Sequence, residues 1–361
     1  MNNDVKNPQI GVLIVDDSAF MRTALSRMIA LDPDLRVLGT AAGGTEALQK
    51  IAALDPDVIT LDMEMQGLDG VETLRRIMAQ FPRPVIMVSS ITLKDAGPTL
   101  NALASGAFDC VPKQLSPTSL DILHIRDDLI SKIKAAGESR RAKDHPTLPR
   151  KPPRAALPRR AAPLDTVAIV ALGISTGGPK ALEEILPHLP RDLPVPILVV
   201  QHMPAGCIAP LAGRLNKLCA VAICQASHGE AVRPGTVYFA PAGSQVTVER
   251  LTNSRTVICL SDKPENLHVP SADVMMQSVA LAFHSQAMGV IMTGMGSDGA
   301  QGMNAIHREG GFTVGQDEAS CAVYGMPRVC AEMGILDKVV PLALIPDEIL
   351  QASRYRKTSV G

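Results

Sequence analysis

Short apolar runs recur along the chain, and amphipathic stretches separate them. Between residues 10 and 133 the runs are IGVLIV (10–15), RVLGT (36–40), DVITL (57–61), PVIMVSS (84–90) and AFDCV (107–111). The stretches between them, such as Ala19–Ile29 and Val71–Ala79, carry helix-like periodicity. Strands of four to eight residues alternating with helices predict a parallel, doubly wound sheet. After residue 163 the same alternation returns. TVAIVALGIS and AMGVIMTGMG read as buried strands entering glycine turns, VPILVVQHM as another strand, and Ser271–Phe283 as a helix capped by Ser271. Gly235–Arg250, with VYFAPAG and SQVTVE, reads as an antiparallel excursion. The second half is thus again α/β, with mostly parallel strands.

The segment between the two halves differs. Residues 134–163 hold nine Lys or Arg, two acids and six prolines, and almost no large apolar side chain. A flexible, partly extended linker is expected there. The predicted organisation is a first domain over 8–133, a basic, Pro-rich linker over 134–163 and a second domain over 164–355.

Composition narrows the picture further. Aromatic residues make up 2% of the chain and tryptophan is absent, so the cores must be aliphatic, as buried parallel sheets allow. A net charge of −1 gives no global attraction to nucleic acid, and no helix-turn-helix pattern is present. Seven cysteines form no CxxC pair and read as reduced thiols, which predicts a cytoplasmic protein. The start of the chain lacks a signal-peptide pattern, and no apolar stretch reaches the roughly 18 residues of a membrane span. A monomer is expected.

Candidate chemistry falls at the ends of the apolar runs. Asp16 and Asp17 follow the first, Asp62 ends the third, Ser89 and Ser90 end the fourth, and Lys113 follows the fifth. Strand C-termini of a parallel sheet share one edge, and ligands bind there. Carboxylates, a hydroxyl and an ammonium at one edge suit Mg²⁺ and a phosphoryl group. Each acid alone could be a helix cap; their coincidence at separate strand ends favours the site.

VLIVDDSAFMR, LDMEMQGLDG, PVIMVSS and AFDCVPK resemble response-regulator receiver domains. The resemblance implies a flavodoxin-like, five-stranded sheet and phosphotransfer from a sensor histidine kinase to Asp62. It also implies Mg²⁺ held by Asp17, Asp62 and the backbone carbonyl of Glu64, with Asp16 acting through water, and Ser89 and Lys113 sensing the phosphoryl group. Gln66 and Gln114 stand where that family commonly has proline.

In the second domain GISTGGP (173–179) follows a strand, precedes a helix and fits G-x-S-x-G. By itself such a loop serves equally as a serine nucleophile turn or as an anion cradle. His202 after ILVVQ and Asp298 in TGMGSDGA supply the remaining parts of a nucleophile–base–acid set with Ser175. Their order along the chain, Ser…His…Asp, differs from that of α/β-hydrolases. The glycine turn around Met295 is the candidate source of oxyanion donors.

VALGISTGGPKAL, VVQHMPAG, YFAPAG, VIMTGMGSDGAQGM and EASCAVYGMPR resemble the catalytic domain of chemotaxis protein-glutamate methylesterases. The resemblance implies hydrolysis of γ-glutamyl methyl esters on methyl-accepting chemoreceptors, with release of methanol, and deamidation of receptor glutamines. It implies Ser175 as nucleophile, His202 as base, Asp298 as orienting acid, Thr176 and Met295 as supporting or oxyanion residues, and no cofactor at the esterase site. The competing expectation is a non-enzymatic response regulator whose second domain binds a nucleotide or phosphometabolite through GISTGG.

Overall fold

A computed structural model describes residues 9–89, 96–113, 119–144, 163, 165–251, 255–262 and 268–355. The chain divides into two compact units, Met1–Leu148 and Pro149–Gly361.

In the first unit five strands alternate with five helices: β1 (Ile10–Val15), α1 (Ala19–Ala30), β2 (Leu35–Ala41), α2 (Gly44–Leu54), β3 (Val58–Asp62), α3 (Gly70–Gln80), β4 (Val85–Ser89), α4 (Ala96–Ala104), β5 (Asp109–Pro112) and α5 (Ser119–Asp144). All pairings are parallel, in the order β2-β1-β3-β4-β5. This is the flavodoxin-like order. The central strands β1, β3 and β4 are buried throughout, as continuous apolar runs in a sheet covered on both faces require. On one face Val12, Ile14 and Ile86 pack with Leu25, Ile29, Leu129 and Ile133.

Helix α5 corrects the expected start of the linker. It continues to Asp144, so residues 134–144 are helical rather than extended. Ala136 is fully buried in the first core. Lys134 Nζ meets Asp32 at 2.9 Å and Asp34 at 2.8 Å, Arg140 meets Asp55 at 3.3 Å, and Arg141 donates to the Gln9 carbonyl at 3.0 Å. The composition of this stretch reads as a flexible linker, but Lys134, Arg140 and Arg141 meet acids about a hundred residues earlier. The remainder of the expected linker, apart from Pro163, lies outside the described residues.

The second unit contains β6 (Ile169–Ile174), α6 (Gly178–Ile185), β7 (Ile197–Gln201), α7 (Ile208–Leu218), β8 (Ala222–Gln225), β9 (Thr236–Phe239), β10 (Gln245–Arg250), β11 (Thr256–Ser261), α8 (Ala272–Phe283), β12 (Ala287–Ile291), α9 (Ala300–Arg308), β13 (Phe312–Gln316), α10 (Met326–Glu332), β14 (Lys338–Val340) and α11 (Ile345–Ala352). Seven strands form a parallel sheet in the order β14-β13-β12-β6-β7-β9-β8. From β6 the chain first builds outward through β7, then returns to β12 on the other side. The switch point therefore lies between β6 and β12, where open α/β sheets bind ligands.

The antiparallel excursion is shifted from its expected place. VYF belongs to β9, which runs parallel between β7 and β8, and its Val237 and Phe239 are fully buried. The antiparallel pair is β10 with β11, a strand the hydrophobic pattern did not single out. Pro241 and Gly243, the latter with φ +88°, separate the buried strand from the half-exposed one. The pair packs Val246 and Ile258 into the same core as Met275, Met276 and Val279 of α8.

Candidate functional site

At the carboxyl edge of the first sheet Asp16, Asp17 and Asp62 each place a carboxylate oxygen within 4.8 Å of the others. Asp16 and Asp62 are buried and Asp17 is exposed. Short local bonds fix their orientation: Ser18 N–H donates to Asp16 at 2.9 Å, and Glu64 N–H donates to Asp62 at 3.0 Å. Gln66 N–H reaches Asp17 at 3.4 Å. Lys113 Nζ stands 2.6 Å from Asp62 Oδ2 and 3.1 Å from Asp16 Oδ2. Burial alone would lower the Lys113 pKa, but the two carboxylates hold it above its ordinary value, so the ammonium stays charged. The Lys113 ammonium is therefore shared between two buried carboxylates, those of Asp62 and Asp16. Three converging carboxylates face one ammonium, which leaves negative charge at this edge, and all three are hard oxygen ligands of the kind Mg²⁺ prefers.

Ser89, buried at the end of β4, is in register with Pro112, and its carbonyl accepts from Lys113 N–H at 2.7 Å. Asp16, Asp17, Asp62, Ser89 and Lys113 thus reach one edge. Ser90 and Gln114 lie outside the described residues.

At the edge of the second sheet, Ser175 follows β6 directly and is half-buried. Its N–H donates to the Thr293 carbonyl at 3.0 Å, and its carbonyl accepts from Gly178 N–H at 2.8 Å, which closes a tight turn into α6. Pro179 is the second residue of that helix, where a missing N–H costs nothing. His202 follows β7. Ile174 pairs with Gln201, and His202 N–H donates to the Ile174 carbonyl at 3.1 Å, so Ser175 and His202 leave neighbouring strand ends side by side.

His202 Nε2 bonds Asp298 Oδ2 at 2.8 Å. The other ring nitrogen, Nδ1, is the one left for a reacting proton. The Ser175 hydroxyl and this imidazole are not themselves hydrogen-bonded, the loose arrangement common before a substrate binds. A second imidazole, His268, stacks on His202 with ring centres 4.6 Å apart and planes 15° from parallel.

Asp298 lies between two helices and caps the one that is distant in sequence. Its carboxylate accepts from Ser271 Oγ at 2.7 Å, Ala272 N–H at 2.7 Å and Asp273 N–H at 3.1 Å, all at the start of α8. Ser271 meanwhile caps α8 through Val274 N–H, as the sequence pattern predicts. Burial would raise the Asp298 carboxyl, but the hydrogen bond and charge of His202, together with Ser271 and Ala272, hold it well below the usual carboxylate range. A carboxylate fixed in this way orients an imidazole and stabilises its protonated form.

The turn around Met295 is held from behind. The Gly294 carbonyl accepts from Gly325 and Met326 N–H groups at 3.0 and 2.9 Å, and Gly294 N–H donates to Val323 at 3.0 Å. A Cβ on Gly294 would stand 2.8 Å from the Ser175 Cβ, so only glycine lets this turn approach the serine. Met295 is half-buried, and its N–H donates to no oxygen among the described residues. Thr176 is buried, and its carbonyl accepts from Thr293 Oγ1 at 2.9 Å. Residues that sequence reasoning passed over are Gln201, His268, Thr293 and the Asp298-binding role of Ser271. Only Gln201 carried a signal, its place beside His202 at a strand end.

Comparison with known proteins agrees with this layout. Residues 170–349 match the family model of the CheB methylesterase, and residues 12–123 that of the response regulator receiver domain. A protein-glutamate methylesterase/protein-glutamine glutaminase of Nitratidesulfovibrio vulgaris is 44% identical, over 92% of this chain and 96% of its own length. One from Halalkalibacterium halodurans is also 44% identical, over 95% and 98%. The crystal structure of the Thermotoga maritima CheB methylesterase catalytic domain is 36% identical, covering 52% of this chain and 98% of its own, with a TM-score of 0.50. A receiver domain followed by an α/β domain with an imidazole–carboxylate pair at its switch point defines a response regulator with an enzymatic output. The chain belongs to the protein-glutamate methylesterase/protein-glutamine glutaminase family.

Proposed function

We propose that this protein hydrolyses γ-methyl esters of glutamate on methyl-accepting chemoreceptors, under control of phosphorylation at Asp62 by a sensor histidine kinase. The observation that carries the reading is the bond from the half-buried His202 to the buried Asp298, beside Ser175 at the switch point. An anion cradle would have no use for that pair, so the nucleotide-binding alternative is disfavoured.

In the proposed reaction Ser175 Oγ attacks the ester carbonyl while His202 Nδ1 takes its proton. Asp298 keeps the second ring proton on Nε2 and stabilises the imidazolium. The tetrahedral oxyanion is met by the Met295 N–H, a donor of a kind worth about 10²–10³ in rate. Collapse breaks the C–O bond, and methanol leaves with the proton from His202. Water, activated by the same nitrogen, then releases the glutamate carboxylate and restores Ser175. The same steps on a glutamine amide release ammonia. Thr176 shapes the turn through its backbone.

In the receiver, Asp16, Asp17, Asp62 and the Glu64 carbonyl are proposed to hold Mg²⁺, which when bound offsets charge on the incoming phosphoryl group. Asp62 Oδ accepts that group, with Ser89 and Lys113 binding its oxygens. Among the described residues no helix is long and apolar enough to cross a membrane, and a cytoplasmic location is part of the proposal. So is the division into a receiver, a connecting segment and a methylesterase domain over 164–355.

The test is Ser175→Ala in the full chain. Methanol release from methylated receptor should fall on the order of 10⁴–10⁶-fold, while Asp62 still takes phosphate from a small-molecule phosphodonor. Retained hydrolysis would remove Ser175 as nucleophile.

A further inference from the structure

Gln201, the last residue of β7, is 1% exposed and points its amide back under the catalytic turn. Its Nε2 donates to two backbone carbonyls, those of Ser175 at 3.0 Å and His202 at 2.9 Å. Both partners can only accept, so the amide orientation is fixed by chemistry. One planar group thus bridges the residue proposed as nucleophile and the residue proposed as base. No other side chain among the described residues bonds to both.

The amide oxygen supports the same conclusion from the other side. Gln201 Oε1 is buried without a hydrogen-bond partner. An unsatisfied buried acceptor is unfavourable, and an apolar side chain of the same length would avoid it. The position tolerates this cost, which implies that the two N–H bonds do something that packing alone does not. Gly178 makes room for it: a Cβ there would lie 1.9 Å from Gln201 Oε1.

We infer that Gln201 is a positioning residue, a cross-tie that sets the spacing and aim of Ser175 relative to His202. The inference rests on the assignment of those two residues as nucleophile and base. Without the tie, the turn at 175 is held by its own Gly178 and Thr293 bonds, and the base by Asp298. Each half then keeps its structure but loses its register with the other. A displacement on the order of 1 Å between reacting groups costs about 10²-fold in rate.

The experiment uses Gln201→Met and Gly178→Ala in the full-length protein, with two readouts. The first is hydrolysis of a glutamate γ-methyl ester peptide. The second is the rate of covalent labelling of Ser175 by a fluorophosphonate, which reports nucleophile activation independently of the natural substrate. Gln201→Met should keep the parent's thermal unfolding within a few degrees. It should lower kcat and the labelling rate by about 10–100-fold, and leave KM within about twofold. Gly178→Ala, which displaces the amide, should reproduce the same split. Gln201→Met with parental kcat and labelling rate would overturn the inference. So would losses that track KM or unfolding. A parent that labels but ignores the ester peptide would remove the substrate reading while the labelling comparison still decides the role of Gln201. A parent inert to both would remove the nucleophile assignment and the cross-tie with it.

Discussion

Asp298 shows how much one side chain can be asked to do. It faces an imidazole on one side and the first turn of α8 on the other. The helix N-terminus and the Ser271 hydroxyl favour its ionised form, and that form keeps the proton of His202 on Nε2. Asp298→Asn replaces an acceptor with an amide whose NH₂ donates to Nε2 and drives the remaining ring proton to Nδ1, the wrong nitrogen for a base. The expected result is a fall in kcat of about 10⁴-fold with KM nearly unchanged, read by steady-state methanol release. The same substitution has a pH signature. Asp298 titrates below its ordinary value of 3.8 in the folded protein. Its contribution to stability is therefore complete above that value and is lost as pH falls through and below it. Denaturant titrations should find parent and Asp298→Asn well separated near neutral pH and converging in acid.

At the scale of elements, α5 is where the chain departs most from its pattern. Its basic C-terminal half looks like a tether in composition and behaves as part of the receiver core in space. Ala136→Asp in the full-length protein tests this. In a solvated tether the change would be silent. In a helix that buries Ala136 in the first core it should destabilise the unfolding of the first unit by more than about 2 kcal/mol, measured by calorimetry. The second sheet offers the complementary case. Its central strands β6, β7 and β12 are buried end to end, so their apolar runs reveal them. The β10–β11 pair packs against α8 and is only partly buried. Its weaker pattern hid β11 and drew β9 into the wrong partnership.

For the whole molecule, the proposed function joins two chemistries with separate requirements. In the proposed function the receiver would take a divalent cation beside Asp16, Asp17 and Asp62, whereas the hydrolysis assigned to Ser175, His202 and Asp298 calls for none. Chelation should therefore abolish the stimulation of methanol release by acetyl phosphate and leave the basal rate in place. Asp62→Asn should behave the same way with the cation present. Loss of the basal rate on chelation would mean that the esterase site itself depends on metal.

Most of the site was legible because parallel sheets impose a simple geometry. Residues just past the C-termini of buried strands converge, so Asp16, Asp62, Ser89 and Lys113, and likewise Ser175 and His202, could be grouped from strand ends alone. Gln201, Thr293 and Ser271 were not legible in their roles, because each acts through hydrogen bonds to groups 26 to 117 residues away. A glutamine, a threonine and a helix cap look ordinary in sequence. By itself the sequence determined the receiver sheet, the buried central strands β6, β7 and β12 of the second sheet, the placement of the candidate residues at strand ends and the family. Only the tertiary structure decided which imidazole nitrogen meets Asp298, how far α5 runs and which strand pairs with β10. Those outcomes depend on directional bonds and charge pairs between distant segments, and hydrophobic periodicity carries no record of them.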